Sequence, residues 1–200
     1  MKVLIATTNA GKVEIYRKAF EDIGAEVVSL KDLNITADVE ENGSSSVENA
    51  VIKAKFYHDL TGMPVFANDS GLVIDKFAPE DQPKLLVRRY KGKNLTDLDM
   101  INLYIEKLNA VGGSSTGYYD VGLAIIDENG KLYTAEFKPR HTFINKASDV
   151  VLKGVPLDSL SYDFKSGRYM SEMTRVERQD CEGEEFYKQM DFIKECFKRS

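Results

Sequence analysis

The most constraining feature of the sequence is its opening, where a short apolar strand runs directly into a helix. Val3-Leu4-Ile5 is predicted as part of a buried strand, and apolar residues recur at helical spacing from Lys12 to Ile23. Thr7-Thr8-Asn9 joins the two elements, and Lys12 falls at the first turn of the helix. Because a helix N-terminus exposes unpaired N–H groups and carries partial positive charge, this junction fits a small phosphate site. A capped turn with a solvated lysine is the commoner arrangement for so short a motif.

The residue pattern in the rest of the chain predicts alternating strands and helices. A strand over Glu26–Leu30 makes the opening βαβ-like, and Ser45 with Glu48 fits a capping box at the start of a second helix. Asn129-Gly130 separates two long alternating stretches, which predicts a β-hairpin. The other predicted ranges are strands over Pro64–Ala67, Gly71–Asp75, Tyr118–Asp127 and Lys131–Phe143, and helices over Thr96–Leu108 and Glu184–Lys198.

Composition and charge narrow the classes of function. The 200 residues carry a formal net charge of -5, which argues against a protein that coats nucleic acid with a basic face. Two widely spaced cysteines, Cys181 and Cys196, indicate neither a disulfide framework nor a zinc site. The opening residues do not resemble a leader segment, and no apolar run approaches membrane-spanning length. We therefore expect a cytoplasmic protein without nucleic-acid or membrane partners.

Two further stretches place acids where they could meet a metal ion. Glu41 precedes the helix that begins near Ser45, and Asp69 follows a short apolar strand. An unpaired buried carboxylate is costly, so an acid at a break in a strand faces a cleft more often than a core. Gly71 would let the backbone bend towards a ligand. Two acids from separate loops could share Mg²⁺, which prefers oxygen ligands and keeps several waters.

Each of these stretches also has an ordinary structural interpretation. Asp69-Ser70 could be a turn, Glu41 could lie in a solvated loop, and Lys53 could be a surface charge of its helix. Taken together, a phosphate-binding turn, a loop acid and a strand-end acid are components of metal-assisted phosphoryl chemistry. The residue pattern alone does not identify the substrate.

Three stretches resemble the N-terminal signatures of the inosine triphosphate pyrophosphatase family. They are TTNAGKVEIYRKAF from Thr7, EENGSSSVENAVIKAK from Glu40 and FANDSGLVID from Phe66. The corresponding family patterns are T-x-N-x-x-K, an E-T/N-G loop followed by E-N-A-x-x-K-A, and A-D-D-S-G-L. The similarity extends through Asp75 and continues loosely to Arg89-Tyr90, which resemble the family's A-R-Y.

The resemblance implies a fold and an activity. The fold would be α/β, with a long mixed β-sheet, flanking helices and a smaller lobe, in a single domain over residues 1–200 with the active-site cleft between the lobes. The activity would be hydrolysis of a nucleoside triphosphate to the monophosphate and pyrophosphate. Members need Mg²⁺ and are usually homodimers.

The resemblance also implies roles for particular residues. Asp69 would be the metal-associated general base that orients water for attack at the α-phosphorus. Glu41 would help to place Mg²⁺, and Lys53 would contact the phosphate chain as a second catalytic residue. Cations beside the triphosphate would neutralise the charge that builds on the leaving pyrophosphate. The residues implied to bind substrate, of which the first three would hold phosphates, are Thr8, Asn9, Lys12, Ser70, Arg89, Asp158 and Arg178.

The chain departs from the family pattern in two regions. The family reads A-D-D-S-G-L, whereas the first of the two acids is Asn68 here. The family's G-F-G-Y-D-P stretch, whose aromatic stacks on the purine, is replaced by a stretch in which Val155 and Leu157 take the aromatic positions. Glu182-Gly183-Glu184 stands where the family has the S-H-R that reads the base edge, and ionised carboxylates accept hydrogen bonds rather than donating them. We therefore expect weak discrimination of inosine or xanthosine triphosphate from ordinary purine nucleotides.

Three functions remain open at this point, in order of preference. The first is a divergent nucleoside triphosphate pyrophosphatase with altered base specificity, which the complete set of phosphate and acid residues favours. The second is a protein on the same fold that binds a nucleotide without hydrolysing it, which Asn68 and the replaced base reader favour. The third is a phosphohydrolase for another phosphorylated metabolite, one whose amino or hydroxyl groups suit the acidic C-terminal stretch.

Overall fold

The computed structural model of the protein describes residues 1–90 and 92–198. The chain divides into two compact units. The first contains Met1–Ser70, Val121–Phe137 and the residues from Tyr187 onward, and the second contains Gly71–Asp120 and Lys138–Phe186. Strands and helices alternate through most of the chain, which confirms the predicted α/β class.

The helices and strands are numbered in chain order. The helices are α1 Ala10–Glu21, α2 Ser46–Thr61, α3 Asp97–Ala110, α4 Arg175–Glu182 and α5 Glu184–Lys198. The strands are β1 Lys2–Ile5, β2 Glu26–Ser29, β3 Val65–Ile74, β4 Arg89–Tyr90, β5 Lys93–Asn94, β6 Ser114–Ile126, β7 Leu132–Phe137, β8 Arg140–Ile144, β9 Tyr162–Asp163 and β10 Arg168–Tyr169. No helix in this described part of the chain is both long enough and apolar enough to cross a membrane.

The first unit is built on a sheet with the strand order β2-β1-β3-β6-β7. Strand β1 runs parallel to both β2 and β3, whereas β7 is antiparallel to β6. The chain leaves β1 through α1 to reach β2, and it returns through α2 to β3 on the other side of β1. The winding of the sheet therefore reverses between β1 and β3. In open α/β sheets, ligands bind at the carboxyl ends of the strands at such a reversal.

Aromatic side chains pack on one face of this sheet, and mostly aliphatic side chains pack on the other. On one face, Phe66 packs against α1, with its ring centroid 4.6 Å from that of Tyr16 and 5.4 Å from that of Phe20. Phe20 also contacts Phe197 of α5, at 5.7 Å between ring centroids. On the other face, α2 contributes to a buried cluster that includes Leu4, Ala50, Ala54, Tyr57, Val65 and Ala67. The two crossover helices therefore cover opposite faces, as the handedness of βαβ units requires.

The second unit has its own hydrophobic core around α3. Met100, Ile101, Tyr104 and Leu108 of this helix pack with residues of β3, β8 and the segment around Leu160. Strand β8 pairs antiparallel with Ser114–Tyr118 of β6. The predicted helix over Thr96–Leu108 is confirmed, with Thr96 as its N-cap in a capping box with Asp99.

Strand β3 corrects the prediction of a break at Asp69-Ser70. The structure has one continuous strand over Val65–Ile74 instead of two short ones. Gly71 does not bend the chain towards a ligand. A Cβ there would lie 3.0 Å from the carbonyl oxygen of Lys84, whose backbone exchanges hydrogen bonds with that of Leu72. The glycine is needed because another backbone segment approaches closely.

The predicted strand over Lys131–Phe143 is in fact two strands. Pro139 lacks the N–H that a continuous ladder would use, and its carbonyl accepts from the backbone N–H of Tyr119 at 3.1 Å. Strands β7 and β8 on either side of it pair with different parts of β6. Helix α4 was not predicted, although Thr174 and Glu177 form a capping box at its start and this motif is readable from the sequence.

Gly122 on β6 lies against the first turn of α2. A Cβ at this position would lie 2.3 Å from the carbonyl carbon of Ser46 and 2.3 Å from the backbone nitrogen of Val47. These are backbone atoms, so they cannot move aside as the end of a flexible side chain would. The absence of a side chain at residue 122 therefore allows the start of α2 to sit on the sheet.

We predict that Gly122→Ala lowers the free energy of unfolding by about 1–3 kcal/mol, the usual cost of overpacking a well-packed interior. The measurement is urea denaturation of both proteins, with Glu128→Gln, an exposed residue in the turn between β6 and β7, as a control that leaves stability unchanged. A Gly122→Ala protein as stable as the wild type would show that this contact does not fix the position of α2.

Candidate active site

The junction between β1 and α1 is a capped helix start. The side-chain oxygen of Asn9 accepts from the backbone N–H groups of Gly11 at 2.9 Å and Lys12 at 3.3 Å, and Thr7 accepts from the N–H of Asn9 at 3.2 Å. The helix begins at Ala10, two residues before the predicted Lys12. Thr8 is exposed at the same junction.

Lys12 is not the solvated lysine of the alternative interpretation. Its Nζ donates to Ser70 Oγ at 3.1 Å, and both residues are only partly exposed. The contact joins two of the sequence motifs, since these residues lie 58 positions apart. It leaves the ammonium held beside the N-terminus of α1, where anions are favoured.

Asp69 and Glu41 share the ammonium group of Lys53. Lys53 Nζ lies 3.0 Å from Glu41 Oε2 and 3.5 Å from Asp69 Oδ1. The side chains of Lys53 and Asp69 are 12% and 15% exposed, so water screens this pair far less than a surface pair. The three side chains come from a loop, a helix and a strand. Their convergence argues against Lys53 as an ordinary surface charge.

Asn49 is a site residue that the sequence interpretation did not assign. Its amide nitrogen donates to Asp69 Oδ2 at 3.0 Å, and its oxygen accepts from the backbone N–H of Gly43 at 2.8 Å. The side chain is 4% exposed. A signal was available in its spacing, because Asn49 lies one helical turn before Lys53 and on the same face of α2.

The loop before α2 is fastened to the start of that helix. Ser45 caps the helix by accepting from the N–H of Glu48 at 3.1 Å, as predicted. The carboxylate of Glu48 does not return to Ser45; it accepts from the N–H of Ser44 at 2.7 Å and from its hydroxyl at 2.8 Å. The cap therefore reaches one residue further into the loop that carries Glu41.

The residues around Lys12 and those around Lys53 lie on opposite faces of β3, just beyond the carboxyl end of β1. Ile5, the last residue of β1, pairs with Phe66, so Asp69 and Ser70 extend beyond the end of that strand. Side chains alternate along a strand, which places Ser70 with Lys12 on the α1 face and Asp69 with Lys53 on the α2 face. The candidate residues thus flank the point where the sheet reverses its winding.

The oxygen atoms at this point suit a hard cation that is shared with a ligand. No cluster of three or more His, Cys, Asp or Glu side chains in residues 1–90 and 92–198 could hold a metal ion by itself. Glu41 and Asp69 already share one cation, the Lys53 ammonium. The buried Asn68 oxygen, which also has no hydrogen-bond partner within the described structure, lies on the α1 face with Ser70 and is not next to these two carboxylates. Mg²⁺ is commonly held by one or two carboxylates with water and substrate phosphates, so these residues fit that ion.

The C-terminal candidates belong to the second unit. Arg178 Nη1 lies 3.3 Å from Asp158 Oδ2, and Glu182 follows one turn later on α4. Burial raises the pKa of Asp158 to about 6 although Arg178 lowers it, and burial together with the charge of Asp158 raises the pKa of Glu182 to about 7. Leu157 is 3% exposed within the core around α3. Arg89 is exposed on β4.

The chain belongs to the Ham1 family, since residues 3–149 match it. The inosine triphosphate pyrophosphatase family, which the three N-terminal stretches predict, is this same family, so the match confirms that prediction. Asp158, Arg178 and Glu182 lie beyond the matched residues.

Curated relatives carry the name dITP/XTP pyrophosphatase. One from Shigella flexneri is 36% identical over 110 residues, which is 55% of this chain and 54% of the relative. One from Leptospira interrogans is 33% identical over 128 residues, 64% of each protein. The chain spans about half the length of the first of these relatives and less than two thirds of the second.

Solved structures resemble the whole fold. A HAM1 protein from Coxiella burnetii has a TM-score of 0.74 at 24% identity and covers 98% of this chain and 99% of its own. The Ham1 protein of Staphylococcus aureus has a TM-score of 0.70 at 21% identity, covering 97% and 98%. A nucleoside-triphosphatase, or dITP/XTP pyrophosphatase, from Mycobacterium abscessus has a TM-score of 0.63 at 25% identity, covering 89% and 92%.

The raised pKa values of Asp158 and Glu182 predict a contribution to stability that falls as pH rises, whereas the buried His141, whose pKa burial lowers to about 4, contributes in the opposite direction. The folded protein binds protons on the two carboxyl groups more tightly than the unfolded chain, whose values are near 3.8 and 4.5. Stability from this source is therefore fully present at low pH and is lost as pH rises through about 6 to 7. Glu182→Gln should remove part of that loss.

The measurement is the urea midpoint at pH 5 and pH 8. The wild type and the exposed control Glu128→Gln should show the same change between the two pH values, and Glu182→Gln should be more stable relative to them at pH 8 than at pH 5. An equal change in all three proteins would contradict the raised pKa of Glu182.

Proposed function

We propose that this protein is a Mg²⁺-dependent nucleoside triphosphate pyrophosphatase that releases pyrophosphate and the nucleoside monophosphate. The observation that carries the proposal is the Lys53 ammonium held between the carboxylates of Glu41 and Asp69. This arrangement lies at the carboxyl end of β1, on the opposite face of β3 from the capped N-terminus of α1 with Lys12. Glu41 and Asp69 would bind a metal ion, and Asp69 would also act as a base. The ammonium groups of Lys53 and Lys12 would contact phosphates.

In the proposed reaction Asp69 accepts a proton from water as the water oxygen attacks the α-phosphorus. The bond from the α-phosphorus to the bridging oxygen then breaks, and pyrophosphate leaves with the bonding electrons. Asn49 holds one oxygen of Asp69, which leaves the other on the side of Lys53. Lys12 and Lys53 would neutralise charge on the phosphates as it moves to the leaving group. Glu41 and Asp69 would hold Mg²⁺, which when bound supplies Lewis-acid stabilisation of phosphate oxygens.

Other contacts to substrate follow from the resemblance. Thr8, Asn9 and Ser70 are proposed to bind phosphates with Lys12, and Arg89, Asp158 and Arg178 are proposed as further substrate contacts. The pairing of Arg178 with Asp158 reduces the donors that remain for a purine carbonyl. Leu157 packs in a hydrophobic core, so its position supplies no ring for base stacking. We therefore propose that the base specificity is relaxed relative to the dITP/XTP pyrophosphatases.

The quaternary structure and the cellular setting are also proposals. The homodimer is what the resemblance to the inosine triphosphate pyrophosphatase family implies, and the protein is proposed to be cytoplasmic without membrane partners. The formal net charge of -5 argues against a nucleic-acid partner. Light scattering at micromolar concentration should give twice the mass of the chain. A mass equal to one chain would overturn the dimer.

The test of the proposed activity is a panel of inosine, adenosine, guanosine and cytidine triphosphates with Mg²⁺. Pyrophosphate and orthophosphate release are measured separately. Pyrophosphate alone supports the proposal, orthophosphate alone indicates a different phosphohydrolase, and tight binding without either product indicates a nucleotide-binding protein. A preference for inosine triphosphate of about a hundredfold or more in kcat/KM would contradict the relaxed specificity.

Replacing Asp69 should remove most of the activity. Loss of a general base costs about two to four orders of magnitude, so we expect Asp69→Asn to lower kcat by that amount under saturating Mg²⁺. The matched control is Asp59→Asn, an exposed acid on α2 that should retain wild-type kcat. If Asp69→Asn keeps full turnover, Asp69 is not the base.

Lys12 and Lys53 should act on the polyphosphate. Hydrogen bonds to charged groups are worth about 1.5–3 kcal/mol, so Lys12→Ala or Lys53→Ala should weaken triphosphate binding by about 10- to 100-fold. Nucleoside binding should change little. Lys55→Ala, an exposed lysine on the same helix as Lys53, is the control for general charge loss. Calorimetry that finds equal losses for triphosphate and nucleoside would contradict these roles.

A further inference from the structure

Asn49 occupies a position that connects both acids of the site without being an acid itself. Its carboxamide is 4% exposed and uses both ends: the oxygen accepts from the Gly43 N–H at 2.8 Å, and the nitrogen donates to Asp69 Oδ2 at 3.0 Å. Gly43 lies two residues after Glu41 in the loop before α2. One side chain therefore links the loop that carries Glu41 to the strand that carries Asp69.

The loop is shaped to accept this contact. A Cβ on Gly43 would lie 2.7 Å from Asn49 Oδ1 and 3.0 Å from the Asn49 backbone nitrogen. It would also lie 2.7 Å from Glu48 Cβ. The φ of Gly43 is not in the left-handed region, so the reason for glycine here is the closeness of Asn49 and Glu48 and not an unusual backbone conformation. The sequence thus provides both the amide and the space that the amide requires.

We propose that Asn49 is a positioning residue, whose amide sets Glu41 and Asp69 at the separation needed to share one cation. This inference rests on the proposed function for the identity of the cation as Mg²⁺. Asp69 has two oxygens and Asn49 holds one of them, so the other is directed to the Lys53 side. Glu41 lies in an exposed loop, and the Gly43 contact is the link between that loop and Asn49. Without the amide, either carboxylate could turn away from the other.

The chemistry of an amide explains why neither an acid nor an apolar residue would serve. The Gly43 N–H requires an acceptor and the ionised Asp69 requires a donor. Asparagine supplies both within one planar group. An aspartate would put a third negative charge beside Asp69, and an alanine would leave both partners without their hydrogen bond.

The test uses Mn²⁺ alone, measured by electron paramagnetic resonance, so it does not depend on turnover. Removing the hydrogen-bond partner of a metal ligand typically lowers metal affinity by about 10- to 100-fold, and we expect this for Asn49→Ala. Gly43→Ala disturbs the same link from the loop side and should also weaken binding. Because both changes break one link, the double variant should lose less than the product of the two single losses. Lys55→Ala should bind Mn²⁺ as the wild type does.

A structural role without positioning predicts a different result. Asn49→Ala would then melt at a lower temperature but bind Mn²⁺ normally per folded molecule, and that result would overturn the proposal. If the double variant lost Mn²⁺ affinity by the full product of the two single losses, the changes would be independent, and that result would also overturn the proposal.

Hydrogen exchange at the Gly43 amide separates this proposal from the proposed function. If the wild type binds no Mn²⁺ at millimolar concentration, the metal part of the proposed function fails. The positioning role is then decided by exchange alone. Faster exchange at Gly43 and through residues 40–42 in Asn49→Ala supports it, and unchanged exchange there overturns it.

Discussion

The interaction on which the site depends is the sharing of one ammonium group by two carboxylates. Glu41 lies in the loop before α2 and Asp69 lies on β3, and their carboxylates would repel each other when both are ionised. Lys53 Nζ lies within 3.0 Å of one and 3.5 Å of the other and largely offsets that repulsion. The three groups still carry one net negative charge, which attracts a cation to the place where a polyphosphate would need one. Removing a single partner from a partly buried group of this kind is costly, because it leaves a charge without compensation.

The fold produces this arrangement through the order of its strands. Helix α1 covers one face of the first unit's sheet and α2 covers the other, because the chain reverses direction between β1 and β3. The end of β1 is therefore reached by the N-terminus of α1 from one side and by the polar first turns of α2 from the other. Gly122 allows the start of α2 to rest on β6. The contact between Gly122 and the first turn of α2 thus helps to position the helix that carries Asn49 and Lys53.

Much of the first unit could be predicted because its signals are local. The capped start of α1, the capping serine of α2 and the βαβ order all follow from residues a few positions apart. The continuous strand β3 could not be predicted, since the reason for Gly71 is the approach of Lys84, which lies thirteen positions away. The split of the predicted second hairpin strand depends on how β7 and β8 share β6. The spacing of Asn49 places it on the same face of α2 as Lys53, but its contacts to Gly43 and Asp69 could not be predicted from that spacing.

The C-terminal part shows the limit of motif comparison. The family match ends at residue 149, and the sequence alone could indicate that the expected base-reading residues are missing. The structure adds that Leu157 belongs to a core and that Asp158 is paired with Arg178. Burial also raises the pKa of Glu182 to about 7, so this side chain binds its proton more tightly than an exposed glutamate does.

The central claim is that the residues around Lys53 direct water to the α-phosphorus of a nucleoside triphosphate. The direct measurement is hydrolysis in ¹⁸O-labelled water, with the products separated and analysed by mass spectrometry. The account predicts that one labelled oxygen enters the nucleoside monophosphate and that the pyrophosphate carries none. Label in pyrophosphate would place the attack on the β-phosphorus, and label in orthophosphate would place it on the γ-phosphorus. Either result would contradict the account.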